Sequence, residues 1–428
     1  MILPLHGLGS RQDLPLPFEY VLVGAALALI VSFAVLVAAW RRPRYTSPAG
    51  RPLPGLTRLI DAGGSRAALR VLVFALYGWM ALALWFGQDR VTNPMFGFVF
   101  VWMWVGLVPL SLVFGPVWRV ANPMRTLTRL VVAPRGPLRP LTEAGWGRLG
   151  VLPGVVTLLA FAWLELVQPD NNTLAVLRWW SGAWLVVVLG GAAIFGERWV
   201  GAADPFEVFA ERIATLSPWQ RIDGVINLVN PLRHASTAVP PRGTAWVCST
   251  VLGITAYDSF TNTTGWVGWV QSSDVPREVW GTLGLLGMTM LVGGTFALAA
   301  RATAAGWADR LAAGLVPIVV GYNLAHYLSL LVIEGQRTAI LASDPLGLGW
   351  NVFGTAELGV DTGIFDYPEA VAAMQLAAIV TGHLLGVLLA HDRSLVALAG
   401  RNPVTGQLPM LMLMVAYTCL GLLLLFSP

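Results

Sequence analysis

Uninterrupted apolar runs close to twenty residues long recur along this chain, and they restrict its fold more than any other feature. As a helix, such a run is long enough to cross the hydrocarbon core of a bilayer. Hydrophobic residues make up 56% of the 428 and charged residues only 12%, against about 25% charged in a soluble domain. The expected class is all-α, a polytopic helical membrane protein with a single domain over 1–428. A lipid-facing β-barrel would instead show short alternating segments.

Hydropathy places ten transmembrane helices. They are expected over about Tyr20–Trp40, Val71–Gly87, Met95–Phe114, Val151–Val167 and Trp179–Phe195, then Trp246–Phe260, Val279–Ala300, Ala312–Ile333, Ala370–Ala390 and Pro409–Phe426. Trp246–Phe260 is the shortest and runs into a polar stretch, YDSFTNTTGW.

The basic residues orient these spans. All 27 are Arg, and 22 of them fall in one alternate set of loops. Excess Arg marks the cytoplasmic side, so both termini are expected to be extracytoplasmic. The Arg-for-Lys and Ala/Gly-rich composition suits a GC-rich bacterial genome, hence a multi-pass protein of the bacterial plasma membrane. The net charge of +4 reports topology here, and no nucleic-acid partner is expected. Cys248 and Cys419 both lie in apolar runs, with no CxxC motif. The N-terminus lacks the basic-then-apolar order of a secretory signal peptide.

One internal echo stands out. FGPVWRVANP (114–123) resembles FGERWVGAADP (195–205), which suggests two related hairpins, 71–114 and 151–195. Asn122-Pro123 and Asp204-Pro205 each read as an N-cap followed by a first-turn Pro. Cytoplasmic interfacial helices are expected within 115–150 and 196–245, with DPFEVFAERIATL as an amphipathic helix on the inner surface. Gly281, Gly284 and Gly287 would allow close helix packing.

Polar residues inside apolar spans are costly and need shelter from lipid. Gly314–Arg337 carries the densest set. On a helix, Tyr322, Asn323, His326, Leu330 and Glu334 share an arc of about 120°. Around it the topology gathers His6, Asp13, Asp258, Gln336 and Asp344 toward the outer side. His326, Glu334 and Asp258 are the candidate catalytic residues, with His326 a general base. His6, Asp13, His326 and Asp344 are candidate ligands of a divalent metal, which would activate water. Tyr322, Asn323, Gln336 and His383 are candidate substrate contacts. A haem between His326 and His383 is disfavoured, because on these boundaries the two lie at different depths, about 9 and about 20 Å from the outer face.

Several segments together resemble a known group. They are His6-Gly7-Leu8-Gly9 with Asp13-Leu14-Pro15, Trp118 with Asn122-Pro123, and Asp204-Pro205-Phe206. Further on come His326-Tyr327 with Glu334-Gly335-Gln336, Ser343-Asp344-Pro345 with Trp350, Gly382-His383, His391-Asp392 and Gln407-Leu408-Pro409. The chain is similar over nearly its whole length to bacterial polytopic membrane proteins, common in actinobacteria, labelled fenitrothion hydrolase. That resemblance implies hydrolysis of a lipophilic aryl organophosphate ester and assigns no residue a role. Two other expectations remain open beside it: a transporter or permease for a small or lipophilic solute, and an accessory subunit or assembly factor of a membrane complex. Beyond the lipid bilayer and a lipophilic small molecule, no partner is indicated.

Overall fold

The computed structural model describes residues 11–399 and 402–426. Among the described residues the regular structure is helical apart from three short strands. Among the described residues, eight helices are long and apolar enough to cross a membrane, and a bent pair, Pro94–Met103 with Leu107–Phe114, makes a ninth candidate. The expected Trp246–Phe260 span is also helical, over Thr244–Thr261, but it is buried along almost its whole length and does not meet the same test of length and hydropathy. The residues pack as two compact units.

One unit comprises 51–228 and 330–362. Its first hairpin pairs Gly63–Phe86 with the bent helix. The 46° bend has two local causes. Gly106 N–H donates five residues back to the Val101 carbonyl at 2.8 Å, a π-type bond, and Pro109 has no N–H to continue the ladder. The second expected hairpin holds Leu152–Leu166 and Leu174–Leu185, which meet through Phe161 and Trp180 at 5.5 Å, and the latter continues as a π-helix over Val186–Gly190.

The sequence echo is repeated in the local structure. Each hairpin ends on a left-handed glycine, Gly115 at φ 70 and Gly196 at φ 96, a conformation glycine adopts without steric cost. A short helix follows each one, and then an Asx cap: Asn122 accepts from Met124 N–H at 2.8 Å and Asp204 from Glu207 N–H at 2.7 Å. Pro123 and Pro205 occupy the first helical turn.

The helix opened by Asp204, Pro205–Ala214, departs from the expected surface position. Nearly all of it is buried, Glu207 included. Phe206 and Phe209 enter an aromatic core, with Phe209 5.1 Å from Trp104 and Phe206 5.2 Å from Phe161. Such pairs contribute about 0.5–1.5 kcal/mol each beyond the area they bury. Trp219–Ile222 and Val225–Val229 form an antiparallel hairpin that no sequence expectation covered. Its turn, Asp223-Gly224, has positive φ at both residues, the type I′ geometry that suits two-residue hairpins.

The other unit comprises 11–50, 229–329 and 363–426 among the described residues. It packs Phe18–Ala39, Thr244–Thr261, Arg277–Thr303, the first half of Leu315–Leu341, Pro368–Ala397 and Pro403–Leu425. Small residues set the closest crossings. A Cβ on Gly382 would stand 2.6 Å from the Pro317 carbonyl oxygen, and one on Gly386 2.6 Å from that of Gly314. This contact seats His383 directly beside the Leu315–Leu341 helix. In the expected glycine series, Gly284 meets Tyr257 and Trp266, whereas Gly287 faces open space.

Candidate functional site

Two helices supply the cluster around His326. Thr244–Thr261 brings Asp258 and Ser259 near its C-terminal end, and Leu315–Leu341 brings Tyr322, His326 and Tyr327. Residues four apart on a helix overlie one another, so the Tyr322 and His326 rings stack with centroids 6.0 Å apart and planes 6° from parallel. Tyr327 meets the imidazole edge-on at 4.6 Å. Asp258 Oδ2 lies 2.9 Å from His326 Nε2 and accepts from the Tyr327 hydroxyl at 3.0 Å. Ser259 Oγ lies 3.2 Å from His326 Nδ1 and 3.0 Å from the Tyr322 hydroxyl. His326 is 1% exposed and Asp258 and Ser259 5% each, so these polar atoms depend on one another rather than on solvent.

Three further polar side chains in this unit are buried with atoms left over. Asn323 is fully buried, and neither amide atom has a hydrogen-bond partner among the described residues. Gln375 donates to the Ala325 carbonyl at 2.9 Å, while its Oε1 has no partner among the described residues. His383 Nδ1 lies 2.8 Å from the Ile379 carbonyl oxygen, and its Nε2 has no partner among the described residues. A buried unpaired polar group costs about 1–3 kcal/mol.

The remaining expected residues make other contacts. Glu334 and Gln336 belong to the unit built on 51–228 and 330–362. There Glu334 pairs with Arg337 at 3.1 Å, and Gln336 bonds the backbone of Val332 and Asp361. Asp344, in the same unit, caps its own loop by accepting from the N–H groups of Leu348 at 3.0 Å and Gly349 at 2.7 Å. The helix carrying His326 runs on to Leu341, past the expected end at Ile333. The stripe of one arc is therefore shared between two packing environments. Asp13 ends a one-turn 3-10 helix, Arg11–Asp13, and His6 lies outside the described residues. Among the described residues, no three His, Cys, Asp or Glu side chains are grouped as a metal site requires. The described donors thus do not form the expected divalent-metal set.

Sequence reasoning missed Ser259 and Tyr327. The available signals were the Asp-Ser neighbours in YDSFT and the His-Tyr pair at 326–327, but their meeting is a tertiary contact across 67 residues.

A second buried polar cluster joins the two Asx-capped helices. Glu207 accepts from Asn122 Nδ2 at 2.8 Å and forms an ion pair with Arg125. Arg125 and Arg129 also pair with Glu197, at 3.1 and 2.6 Å. Burial lowers the Arg125 pKa, but its bonds to Glu207 and Glu197 outweigh that and raise it. Burial, reinforced by the Glu207 charge, pushes Asp204 up to about 7.

No family model, no curated protein and no solved structure matches the chain.

Proposed function

We propose that this is a membrane-embedded serine hydrolase of a lipophilic ester, carboxylic or phosphoric. Ser259 is its nucleophile, His326 its general base and Asp258 the group that orients the imidazole. The hydrogen-bond chain through His326 carries this reading. One set of protons, assigned from the network, is consistent with each of these contacts. Ionised Asp258 accepts from His326 Nε2–H and from the Tyr327 hydroxyl. His326 Nδ1 then holds a lone pair and accepts from the Ser259 O–H, whose oxygen accepts from Tyr322. A serine hydroxyl donating to an imidazole that is fixed by a carboxylate is the arrangement that activates serine for attack. It is recognised by geometry and roles rather than by sequence order.

The chemistry closes without a metal. Nδ1 takes the Ser259 proton as Oγ bonds to the carbonyl carbon or phosphorus, and it then returns that proton to the departing alkoxide or phenoxide. Water, deprotonated by the same nitrogen, cleaves the acyl- or phosphoryl-serine and restores the hydroxyl. The Asn323 amide, one helical turn before His326, is the candidate donor to the developing oxyanion, which would account for its lack of a partner. The cluster is closed in this conformation, so catalysis also requires an opening step that admits substrate.

The resemblance to proteins labelled fenitrothion hydrolase supports the phosphotriester branch. The arginine bias supports ten spans in a bacterial plasma membrane with the site toward the outer face. A permease reading draws instead on the span count and on the paired hairpins. Purified protein given nitrophenyl esters of carboxylic and phosphoric acids decides between them. The hydrolase reading expects nitrophenol release that Ser259→Ala and His326→Ala abolish and that chelators leave unchanged. Uptake of an ester by proteoliposomes with no product formed would overturn it.

A further inference from the structure

We infer that the space beside His383 is a binding site for a neutral lipophilic alcohol that donates its hydroxyl hydrogen to Nε2. This goes beyond the hydrolase reading and does not depend on it.

A cavity of about 40 Å³ lies within the unit that contains His383. Its wall is aliphatic, led by Leu252, Ile318 and Leu424, and its polar side chains are Tyr322, Tyr417 and His383. Both phenols are already engaged. Tyr417 donates to the Val292 carbonyl at 2.6 Å, and the Tyr322 hydroxyl lies 3.0 Å from Ser259 Oγ. His383 is 1% exposed. Its Nδ1 faces the carbonyl oxygen of its own helix at 2.8 Å. An oxygen there can only accept, so Nδ1 carries the hydrogen and Nε2 carries a lone pair. Among the described residues Nε2 has no hydrogen-bond partner, whereas both phenol hydroxyls of the wall already have one.

The chemistry of that atom narrows the ligand. It must be a donor, because Nε2 accepts. It must be neutral, because an ammonium would lose its hydration to an aliphatic wall. A water takes about one probe sphere of 10–15 Å³, so the space holds about three water-sized groups: a hydroxyl and its first carbons. The rest of the chain must leave the cavity. Tyr417, Leu420 and Leu424 of the apolar Pro403–Leu425 helix line the cavity and are only half-buried, so an alkyl chain has an apolar way out along them. A long-chain primary alcohol meets all three requirements.

The test is photolabelling of the full-length protein in lipid nanodiscs, with dodecanol bearing a diazirine next to the carbinol carbon. The expected result is label on the wall peptides containing Leu252, Ile318 or Leu424, displaced by excess dodecanol. The matching methyl ether, which has no donor, should label these peptides about tenfold less, the cost of one hydrogen bond near 1.4 kcal/mol. His383→Leu should lose the preference for alcohol over ether, and His383→Gln, which keeps an acceptor, should retain most of it. Equal labelling by alcohol and ether, or label spread evenly over all apolar helices, would overturn the proposal. So would an unchanged preference in a folded His383→Leu protein.

Discussion

The carboxylate of Asp258 lies 2.9 Å from Nε2 of His326, while the next residue in the chain, Ser259, reaches the other nitrogen of the same ring at 3.2 Å. Two neighbouring residues on one helix thus grip an imidazole on another from both sides. If that grip orients a catalytic base, Asp258→Asn should keep the fold, since the amide oxygen still accepts from Tyr327. It should lower kcat by about ten-thousand-fold, because the wrong imidazole tautomer is then favoured. Ester turnover together with thermal unfolding in detergent checks this. A structural role alone would change the Tm and leave kcat within a few-fold.

The Arg125–Glu207 pair is buried, with Glu207 1% exposed. Removing one partner of a buried pair leaves the other charge uncompensated, at about 3–5 kcal/mol. Glu207→Ala should therefore lower stability by about that much. Replacing both members with apolar residues of similar volume, Arg125→Met with Glu207→Leu, should recover most of the loss. A double-mutant cycle on Tm measures the coupling, and additive losses would mean that the pair does not act as a unit.

Asp204 gives a pH dependence with a definite sign. Its carboxyl is pushed up to about 7 by burial and by Glu207, from an ordinary value near 3.8. The folded state then binds the proton more tightly than the unfolded state between those limits. This contribution to stability is full below about pH 4 and is lost as the pH rises through about 7, with a slope of at most about 1.4 kcal/mol per pH unit. Asp204→Asn keeps an N-cap and should flatten this slope. Unfolding curves for both proteins at pH 5 and pH 8 provide the check.

Two glycines from one sequence series should behave differently. A Cβ on Gly284 would lie 2.7 Å from Tyr257 and 3.0 Å from Trp266, while one on Gly287 meets nothing. Gly284→Ala should cost about 1–3 kcal/mol through overpacking. Gly287→Ala should be neutral or slightly stabilising through helix propensity. Parallel Tm measurements separate them, and equal effects would contradict the helix crossing described here.

The contrast between these glycines shows where the sequence was legible. Spacing alone identified a small-residue stripe, but only packing shows which member touches a ring. The ten apolar segments all correspond to helices, since a long apolar run that must bury its backbone satisfies its own N–H and C=O groups as a helix. The caps at Asn122 and Asp204 were readable because Asx-Pro is a local signal. The Asp223-Gly224 hairpin carries an equally local turn signal, but its strands are four and five residues long and leave no mark on hydropathy. The arc from Tyr322 to Glu334 was sound as helical geometry. Periodicity does not reveal which neighbours cover a face, however, and Glu334 turned out to pair with Arg337 on its own helix. Ser259 was invisible for the same reason: its partner is 67 positions away.

The most direct test of the central claim is covalent. A fluorophosphonate probe transfers its phosphonyl group to an activated serine and releases fluoride. Incubated with the purified protein and mapped by peptide mass spectrometry, it should modify Ser259, and the adduct should disappear in His326→Ala. An unmodified Ser259 in protein that hydrolyses esters, or hydrolysis that persists in Ser259→Ala, would contradict the account.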